Sequence, residues 1–460
     1  MFVTVLYWIY CLAFALDFRG ETGGSAVQYV FLLIALASGG LIVIAGKRSV
    51  FVVPGVYLVF LWGFFLLSTP IVALAQNVPI GNYVRCSLPL FLLGLSMLVM
   101  QVMAATRLTP KQLLNPLVLS GCISVVWRAV YALGVKRIPI SEIRYELLSA
   151  AAPFFIGYVI VCFFFSTRKL PWDAIIAGGL VFGTLFISIT RSYIATAGFA
   201  FLACVALLYG SLRLRQWTAG AIRSKLRQAG MLVIIGIGLI LVVIATNPLV
   251  LERWIGRLFE NAGTGADTSM DVTMLTRLAE ADSMNKILAD HPHRYAFGVG
   301  LGATYFWDEA YSQELLLVYG SRDMLNDEHF FPGHSTWVYA LFSGGYFGLL
   351  VMTLLIFGGL AFAWRTNRKL SQPGVPPDEF RLLPFVVILC YFSQTFTANP
   401  FGDRYAGLLV GLFLAFPQVF LNRHRMAMKQ RRQQQQQVMV PVMVSNQSWV
   451  ADSNSPRLPS

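Results

Sequence analysis

Charged residues are scarce in this chain of 460 residues, where Asp, Glu, Lys and Arg together make up 12%. A soluble domain carries about 25%. Hydrophobic residues make up 57% of the sequence. This balance excludes a soluble globular enzyme and a disordered protein, and it predicts a multi-pass membrane protein.

Metal-binding and disulfide patterns are also missing. The six cysteines are scattered through apolar runs without a Cys-x-x-Cys pair, so neither a zinc site nor a disulfide framework is indicated. No Asp-x-Asp motif occurs either. Asp323, Asp327, Glu328 and His329 could bind a cation, but we interpret them as a surface charge cluster. We therefore predict no metal and no other cofactor.

Apolar runs long enough to cross a bilayer, about 20 residues each, recur along the chain. We predict an all-α fold with about twelve transmembrane helices. Their ranges are 2–18, 26–45, 50–72, 86–105, 112–133, 148–166, 173–189, 193–210, 229–246, 335–362, 382–398 and 405–421. The first run lacks a basic start, which argues against a cleaved signal peptide.

Positive charge is distributed unequally between the two sides of this arrangement. With both termini cytoplasmic, the inner loops and the tail hold 21 basic residues, and the short outer loops hold seven. Basic residues accumulate in cytoplasmic loops, so we predict this orientation. It also accounts for the net charge of +13 without binding to nucleic acid.

Four regions follow from this topology. Residues 1–246 hold helices one to nine, and residues 335–423 hold the last three. Between them, residues 247–334 form a large outer loop that carries 13 acidic and 6 basic residues. A loop of this length usually has a function. The polar, glutamine-rich tail over 424–460 is predicted to be disordered.

A group of charged residues lies at the outer ends of the predicted helices. Charges at such positions are costly and often functional, although each arginine could simply extend to the lipid headgroups. That alternative is weakest for Arg128, which lies inside the fifth helix. Several cations at one depth predict a pocket for a lipid-borne anion, and a diphosphate fits because guanidinium groups bind its oxygens bidentately. The group comprises Arg85, Arg128, Arg191, Asp403, Arg404 and His334.

The outer loop contributes a further cation. Residues 270–290 predict an amphipathic helix, and Arg277 projects within its apolar stripe. Arg277 either forms a salt bridge with Glu280 or another acidic residue, or points into the anion site from a helix that lies over the membrane face. The stripe consists of Met274, Leu278, Ala281, Met284 and Leu288.

His334 stands where the tenth helix begins, directly after the turn-forming pair Pro332-Gly333. A histidine at such a position is often only an interface residue. Near the cations, however, a neutral imidazole can accept a proton from an attacking hydroxyl. Residues 298–302 (Gly-Val-Gly-Leu-Gly) lack the strand and helix that flank a phosphate loop. We interpret them as a bend where the loop backbone passes closely over the membrane helices.

The order of these motifs resembles the O-antigen ligase and polymerase superfamily, which are integral inner-membrane glycosyltransferases of the GT-C type. The family's Ser-Arg pair is represented by Thr190-Arg191-Ser192, and its His-Asn pair by His334-Ser335, so both motifs depart by one residue. The motifs within and after the long outer loop that resemble the family are Thr276-Arg277-Leu278, Ala289-Asp290-His291-Pro292, the glycine bend, Gly345 and Gly348.

The resemblance implies a donor of undecaprenyl diphosphate carrying a saccharide. It also implies metal-independent transfer, with inversion at the anomeric carbon, to a glycan or lipid A–core acceptor on the periplasmic face of the bacterial inner membrane. By the resemblance, Arg191 and Arg277 hold the diphosphate, and His334 activates or orients the acceptor hydroxyl. From depth and side we add Arg85 and Arg128 as further diphosphate ligands, with Asp403 in a supporting role.

Two classes of function remain open. A transferase is either a ligase or a polymerase of O-antigen or exopolysaccharide, and the short outer loop over 134–147 favours the ligase-like form. A transporter or flippase of lipid-linked sugars is the alternative. Transporters often consist of repeated halves, and no repeat relates 1–210 to 229–421.

Overall fold

The computed structural model describes residues 2–18, 26–47, 56–138, 143–166, 170–188, 190–209, 219–246, 251, 272–311, 313, 315–316, 326–371, 379–431 and 433. Within these ranges the fold is all-α. Extended segments pair there only at an isolated antiparallel bridge between Tyr305 and His329.

Apart from one short helix, Arg144–Leu147, the described part of the chain forms a series of longer helices. In chain order they are α1 (Phe2–Leu12), α2 (Ala26–Ala45), α3 (Val56–Ala75), α4 (Ile80–Ala104), α5 (Pro110–Val130), α6 (Ala152–Phe165), α7 (Trp172–Ser188), α8 (Arg191–Tyr209), α9 (Ala219–Thr246), α10 (Val272–Ala289), α11 (Pro292–Phe297), α12 (Thr336–Leu370), α13 (Glu379–Gln394) and α14 (Arg404–Ala415). A π-helical turn, Tyr131–Val135, extends α5.

Seven helical segments in the described ranges are long and apolar enough to cross a membrane. They are Val27–Ala45, Tyr57–Ala75, Ile80–Ala104, Pro110–Val135, Arg191–Leu208, Thr336–Leu370 and Arg404–Arg431. Four apolar helices are shorter, namely Phe2–Leu12, Ala152–Phe165, Trp172–Ser188 and Phe380–Gln394. The chain is therefore a multi-pass, all-helical membrane protein, but twelve spans are not confirmed.

The C-terminal end of the bundle differs from the prediction. After a turn at Phe416 the chain is helical again over 417–431. The predicted disorder is therefore wrong for 424–431, where basic and long polar side chains continue the helix instead of ending it. The rest of the predicted tail lies outside the described residues, apart from Gln433, which is helical.

Helices α4 and α14 pack backbone to backbone at the centre of the bundle. A methyl group at Gly407 would meet the carbonyl of Pro89, and one at Gly411 would meet the carbonyl of Leu93. Two glycines four residues apart lie on one helix face and let two membrane helices approach closely. This contact fixes the position of α14, whose first turn lies near the candidate site.

The outer loop is attached to the bundle at a break in α12. Gly345 has φ 61° and ψ −159°, so the helix is interrupted there. The carbonyls of Phe342 and Ser343 accept hydrogen bonds from the N–H groups of Val299, at 2.9 Å, and Gly300, at 3.0 Å. The interruption thus supplies acceptors for the loop, because these carbonyls lack their usual partners one turn later.

The glycine run passes as closely over the helices as predicted. Gly298, Gly300 and Gly302 all have positive φ, and a methyl group on any of them would collide with the backbone of α12, α3 or α4. The interpretation of residues 298–302 as a bend at close approach is therefore confirmed. The loop residues on either side of the bend are held against the membrane helices as a result.

Candidate active site

Helix α10 presents an acidic residue to the protein interior. It spans Val272–Ala289, and Leu275, Ala279, Met284 and Leu288 are at most 2% exposed. Met274 is 57% exposed, so the predicted apolar stripe is wrong at that residue. The buried face is rotated toward Glu280, which is only 3% exposed, because this carboxylate finds hydrogen-bond donors inside.

His334 supplies two of those donors. Oε1 of Glu280 lies 2.8 Å from Nδ1 of His334, and Oε2 accepts the backbone N–H of His334 at 3.0 Å. A carboxylate can only accept, so Nδ1 carries a proton and Nε2 is the basic nitrogen of the neutral ring. The His334 side chain is 46% exposed, whereas that of Glu280 is 4% exposed. The ring therefore faces solvent from a buried anchor.

The turn before His334 makes this double contact possible. Gly333 has φ 68°, and a methyl group there would lie 3.4 Å from Oε2 of Glu280. The carbonyl of Pro332 accepts a hydrogen bond from Nδ2 of Asn399 at 2.9 Å. The left-handed glycine turns the chain so that the His334 N–H points at the carboxylate, and Asn399 holds the turn from the other side.

Tyr305 encloses the carboxylate within the protein. Its side chain is 1% exposed, and its backbone pairs with that of His329 through two hydrogen bonds of 2.8 Å. Burial raises the pKa of the Tyr305 phenol above its ordinary value, and the nearby carboxylate of Glu280 raises it further. Tyr305 thus helps to shield Glu280 from water.

Arg277 lies one helical turn before Glu280, a spacing that places the two Cβ atoms about 5–6 Å apart. Its Nη2 donates to the carbonyl of Thr397 at 2.6 Å. Thr336 donates through Oγ1 to the carbonyl of Ala398 at 3.3 Å and to Oδ1 of Asn399 at 3.1 Å. Residues 397–399 therefore connect Arg277 with the start of α12, beside His334.

Arg85 reaches the same region from α4. Its guanidinium carbon lies 5.6 Å from the centroid of the Phe330 ring, and Sγ of Cys86 donates to the Phe330 carbonyl at 3.1 Å. The next residue, Phe331, meets the His334 ring edge to face at a centroid distance of 6.3 Å. Arg85 thus contacts the segment that carries His334.

Arg128 belongs to a group of mixed charge. Its guanidinium donates a hydrogen bond to the carbonyl of Leu148. Its positive charge interacts electrostatically with Asp17 and with Tyr193. Nη2 of Arg404 lies 3.8 Å from Oδ2 of Asp17. Two arginines here face a buried aspartate, so their charge is partly balanced within the protein.

Asp403 has a structural contact in this second group. Its Oδ1 accepts the N–H of Ala406 at 2.9 Å and so caps α14. Such a cap stabilises a helix by about 1 kcal/mol. The negative charge of Asp403 also interacts electrostatically with Tyr193 and with Asp17. The predicted supporting residue therefore lies beside Arg404 and holds the start of the helix that packs on α4.

Arg191 is the first residue of α8, and its side chain is exposed. Tyr193 donates to the carbonyl of Ser149 at 3.4 Å, close to the carbonyl that Arg128 contacts. Thr196 shares a 2.8 Å hydrogen bond with Ser393, near the end of α13. The start of α8 thus packs between the mixed-charge group and the chain that leads to residues 397–399.

The sequence did not single out Glu280, Tyr305 or Asn399 as functional residues. Glu280 was considered only as a partner of Arg277. A signal was available, because Glu280 follows Arg277 by three residues and precedes Met284 by four, which places it on the face they share. Tyr305 and Asn399 carry no comparable signal, since only folding brings them to this site.

Two ion pairs join other charged residues of the described outer loop. Lys286 lies 2.6 Å from Asp308, and Arg294 lies 3.7 Å from Asp290. Across the described ranges, no three His, Cys, Asp or Glu side chains come together as a metal site. Of the acidic cluster considered in the sequence, Asp323 lies outside these ranges.

No protein-family model matches this sequence, and no match is found among the curated proteins. A functional proposal for this protein therefore depends on the arrangement of residues around His334. It combines one anchored imidazole with arginines at one end of a bundle of membrane helices.

Proposed function

We propose that this protein is a membrane-embedded glycosyltransferase that moves a saccharide from an undecaprenyl-diphosphate carrier to an acceptor hydroxyl. The reaction takes place at the end of the bundle that holds His334, on the predicted periplasmic side of a bacterial inner membrane. The observation that carries the proposal is the double hydrogen bond between Glu280 and His334, in which a buried carboxylate orients an exposed imidazole.

The imidazole supplies the base for this reaction. The acceptor hydroxyl gives its proton to Nε2 of His334 while its oxygen attacks the anomeric carbon. A new bond forms between carbon and oxygen, and the bond from that carbon to the diphosphate oxygen breaks, which inverts the configuration. Glu280 stabilises the imidazolium and keeps the proton on Nδ1, as an orienting carboxylate does beside a general base. Glu280 is thus a positioning residue.

The arginines support the departure of the diphosphate. The leaving group gains negative charge as its bond to the sugar breaks, and fixed guanidinium groups near it stabilise that charge. Arg277 and Arg85 are the cations with contacts closest to the His334 segment. Arg191 joins them in the proposal as the exposed first residue of α8. Arg128 is the weakest candidate, because Asp17 shares its environment.

A lipid-linked donor suits the position of the site. The cations lie at the ends of membrane helices, where the headgroup of a polyprenol diphosphate would stand while its chain stays in the bilayer. A soluble donor would not need this location. We propose a ligase-like enzyme with a glycan or lipid A–core acceptor, and a polymerase of the same chemistry as the alternative.

Reconstitution with a lipid-linked saccharide and candidate acceptors tests the proposal. The expected product is a single shifted acceptor band, and a ladder on the lipid would identify a polymerase. A donor that crosses the bilayer without any new glycosidic product would overturn the transferase assignment in favour of a transporter. Each reaction is compared with the same protein carrying His334→Ala.

A further inference from the structure

A basic cleft lies at the opposite end of the bundle from His334. Helix α12 runs from Thr336, beside the candidate active site, to Leu370 at the cleft. After the break at Gly345, the helix continues without interruption over 346–370, and these residues at about 1.5 Å each extend about 37 Å. The cleft has a volume of about 450 Å³, within the range of about 300–1,000 Å³ that is usual for ligand pockets.

Apart from Thr109, the polar side chains that line the cleft are all basic. Lys111, Arg381, Arg423 and His424 all line it, and no acidic side chain does so among the described residues. Nη2 of Arg423 donates to the carbonyl of Leu108 at 2.8 Å, which holds that guanidinium at the wall. A guanidinium has five donors, so Arg423 keeps others for a ligand. These groups select an anion.

Helix α5 reinforces that selection. Lys111 lies in the first turn of α5, which contains no acidic residue. The N-terminus of a helix carries partial positive charge and normally attracts acidic side chains. An exposed lysine at this position adds charge of the same sign. Both effects raise the local positive potential and favour a bound anion.

The rest of the lining is apolar. Pro110, Leu370, Phe380 and Phe420 form the wall beside the cations, and Phe420 is only 6% exposed. A free inorganic anion would gain nothing from such a wall. A ligand with a charged phosphate and a hydrocarbon chain would satisfy both parts, and basic pockets between membrane helices bind anionic lipid headgroups in this way.

We propose that this cleft binds an anionic phospholipid of the adjacent leaflet. Its phosphodiester group lies against Lys111, Arg423 and His424, and an acyl chain runs along Leu370 and Phe380. The site is independent of the proposed transferase reaction, because it lies at the other end of the helices.

The test uses the full chain in phosphatidylcholine nanodiscs, with bound phosphatidylglycerol counted by native mass spectrometry as its fraction is raised. Lys111→Gln is expected to weaken binding about fivefold, since each basic residue near a membrane surface contributes about 1 kcal/mol. Lys111→Glu is expected to weaken it further. The control is Lys47→Gln, which removes an exposed lysine at the same end of the bundle but outside the cleft.

Unfolding temperature provides a second measurement on the same samples. Phosphatidylglycerol should raise it for the wild-type protein and for Lys47→Gln, but raise it less for Lys111→Gln. An equal rise with inorganic phosphate alone would identify a site for free anions and overturn the lipid proposal. Equal binding of phosphatidylglycerol by the wild-type protein and Lys111→Glu would overturn it as well.

Discussion

The carboxylate of Glu280 holds His334 at two points, the backbone N–H and the ring Nδ1. The two residues are separated by 54 positions in the sequence. This pairing fixes which ring nitrogen carries the proton and leaves the other edge of a half-exposed ring available. It turns a histidine at a helix start into a candidate base with a defined orientation.

His334→Ala is expected to abolish glycan transfer while the protein remains folded and inserted. Removing a general base costs about 10²–10⁴ in rate, and the exposed ring contributes little to packing. Transfer is measured as product per time with a lipid-linked donor. His293→Ala removes an exposed histidine of the same loop and should leave the rate unchanged. Full activity of His334→Ala would eliminate His334 as the base.

Glu280→Gln tests the positioning role. The amide can donate a hydrogen bond to Nδ1, which favours the tautomer whose Nε2 is protonated and cannot accept. We expect kcat to fall by about 10²-fold or more while KM for the donor changes little. Steady-state kinetics at several donor concentrations separate the two constants. A rise in KM at unchanged kcat would instead assign Glu280 to donor binding.

Arg277→Ala should raise the donor concentration needed for half-maximal transfer about tenfold or more, because a hydrogen bond to a charged group contributes about 1.5–3 kcal/mol. Arg277→Lys retains the positive charge but lacks the planar guanidinium. Its half-maximal donor concentration should lie between those of the wild-type protein and Arg277→Ala. Lys286→Gln removes a cation from the same helix, and its Nζ is paired with Asp308. It should not change donor dependence. The same comparison applies to Arg191→Ala, where unchanged donor dependence would argue against the diphosphate site.

Gly300→Ala should loosen the outer loop from the bundle. Gly300 has φ 93°, and an added methyl would lie 2.8 Å from Cα of Ala73, so strain of about 1–3 kcal/mol is expected. The measurement is the unfolding midpoint together with proteolysis of the loop. Gly81→Ala is the matched control, because a methyl group there meets no atom within 4 Å. Equal behaviour of the two variants would contradict the close approach.

The ion pair between Lys286 and Asp308 predicts how the outer loop responds to pH. The hydrogen bond from Lys286 lowers the pKa of Asp308, and the same bond raises the pKa of Lys286. The contribution of Asp308 to stability is complete above the ordinary carboxyl pKa and is lost as pH falls through the lowered value. That of Lys286 is lost only as pH rises through its raised value.

Hydrogen exchange of residues 305–311 measures this response. Their protection should be constant between about pH 5 and 9 after correction for the intrinsic exchange rate, and should decrease below about pH 4. Asp308→Asn should show lower protection at neutral pH and a weaker dependence on acid. Loss of protection between pH 7 and 5 would show that another group controls the loop.

Much of the architecture could be read from the sequence because long apolar segments can satisfy their backbone groups in a bilayer only as helices. The apolar run over 86–105 therefore predicts α4 well. The helix of the outer loop was also expected, and Val272–Ala289 lies within the predicted 270–290. Its buried face was not fully predicted, since helical spacing alone does not show that Glu280 would find donors inside.

The glycine bend and the arginines illustrate the same distinction. The close approach at residues 298–302 could be inferred because glycine is favoured where φ is positive or a backbone lies near. The grouping of the cations could not be inferred from the sequence. Arg85 and Arg277 contact segments next to His334, whereas Arg128 shares its surroundings with Asp17. The depth of a residue along a helix does not specify which residues of other helices become its neighbours.

By itself, the sequence determined that this chain enters a membrane as helices, and it indicated which ends carry the charges. Both depend on the transfer of residues from water to lipid, which is a local property of each segment. The pairing of Glu280 with His334, the break in α12 at Gly345 and the position of Arg128 beside Asp17 were decided only in the tertiary structure. Each depends on which groups from distant segments become neighbours once the helices have packed.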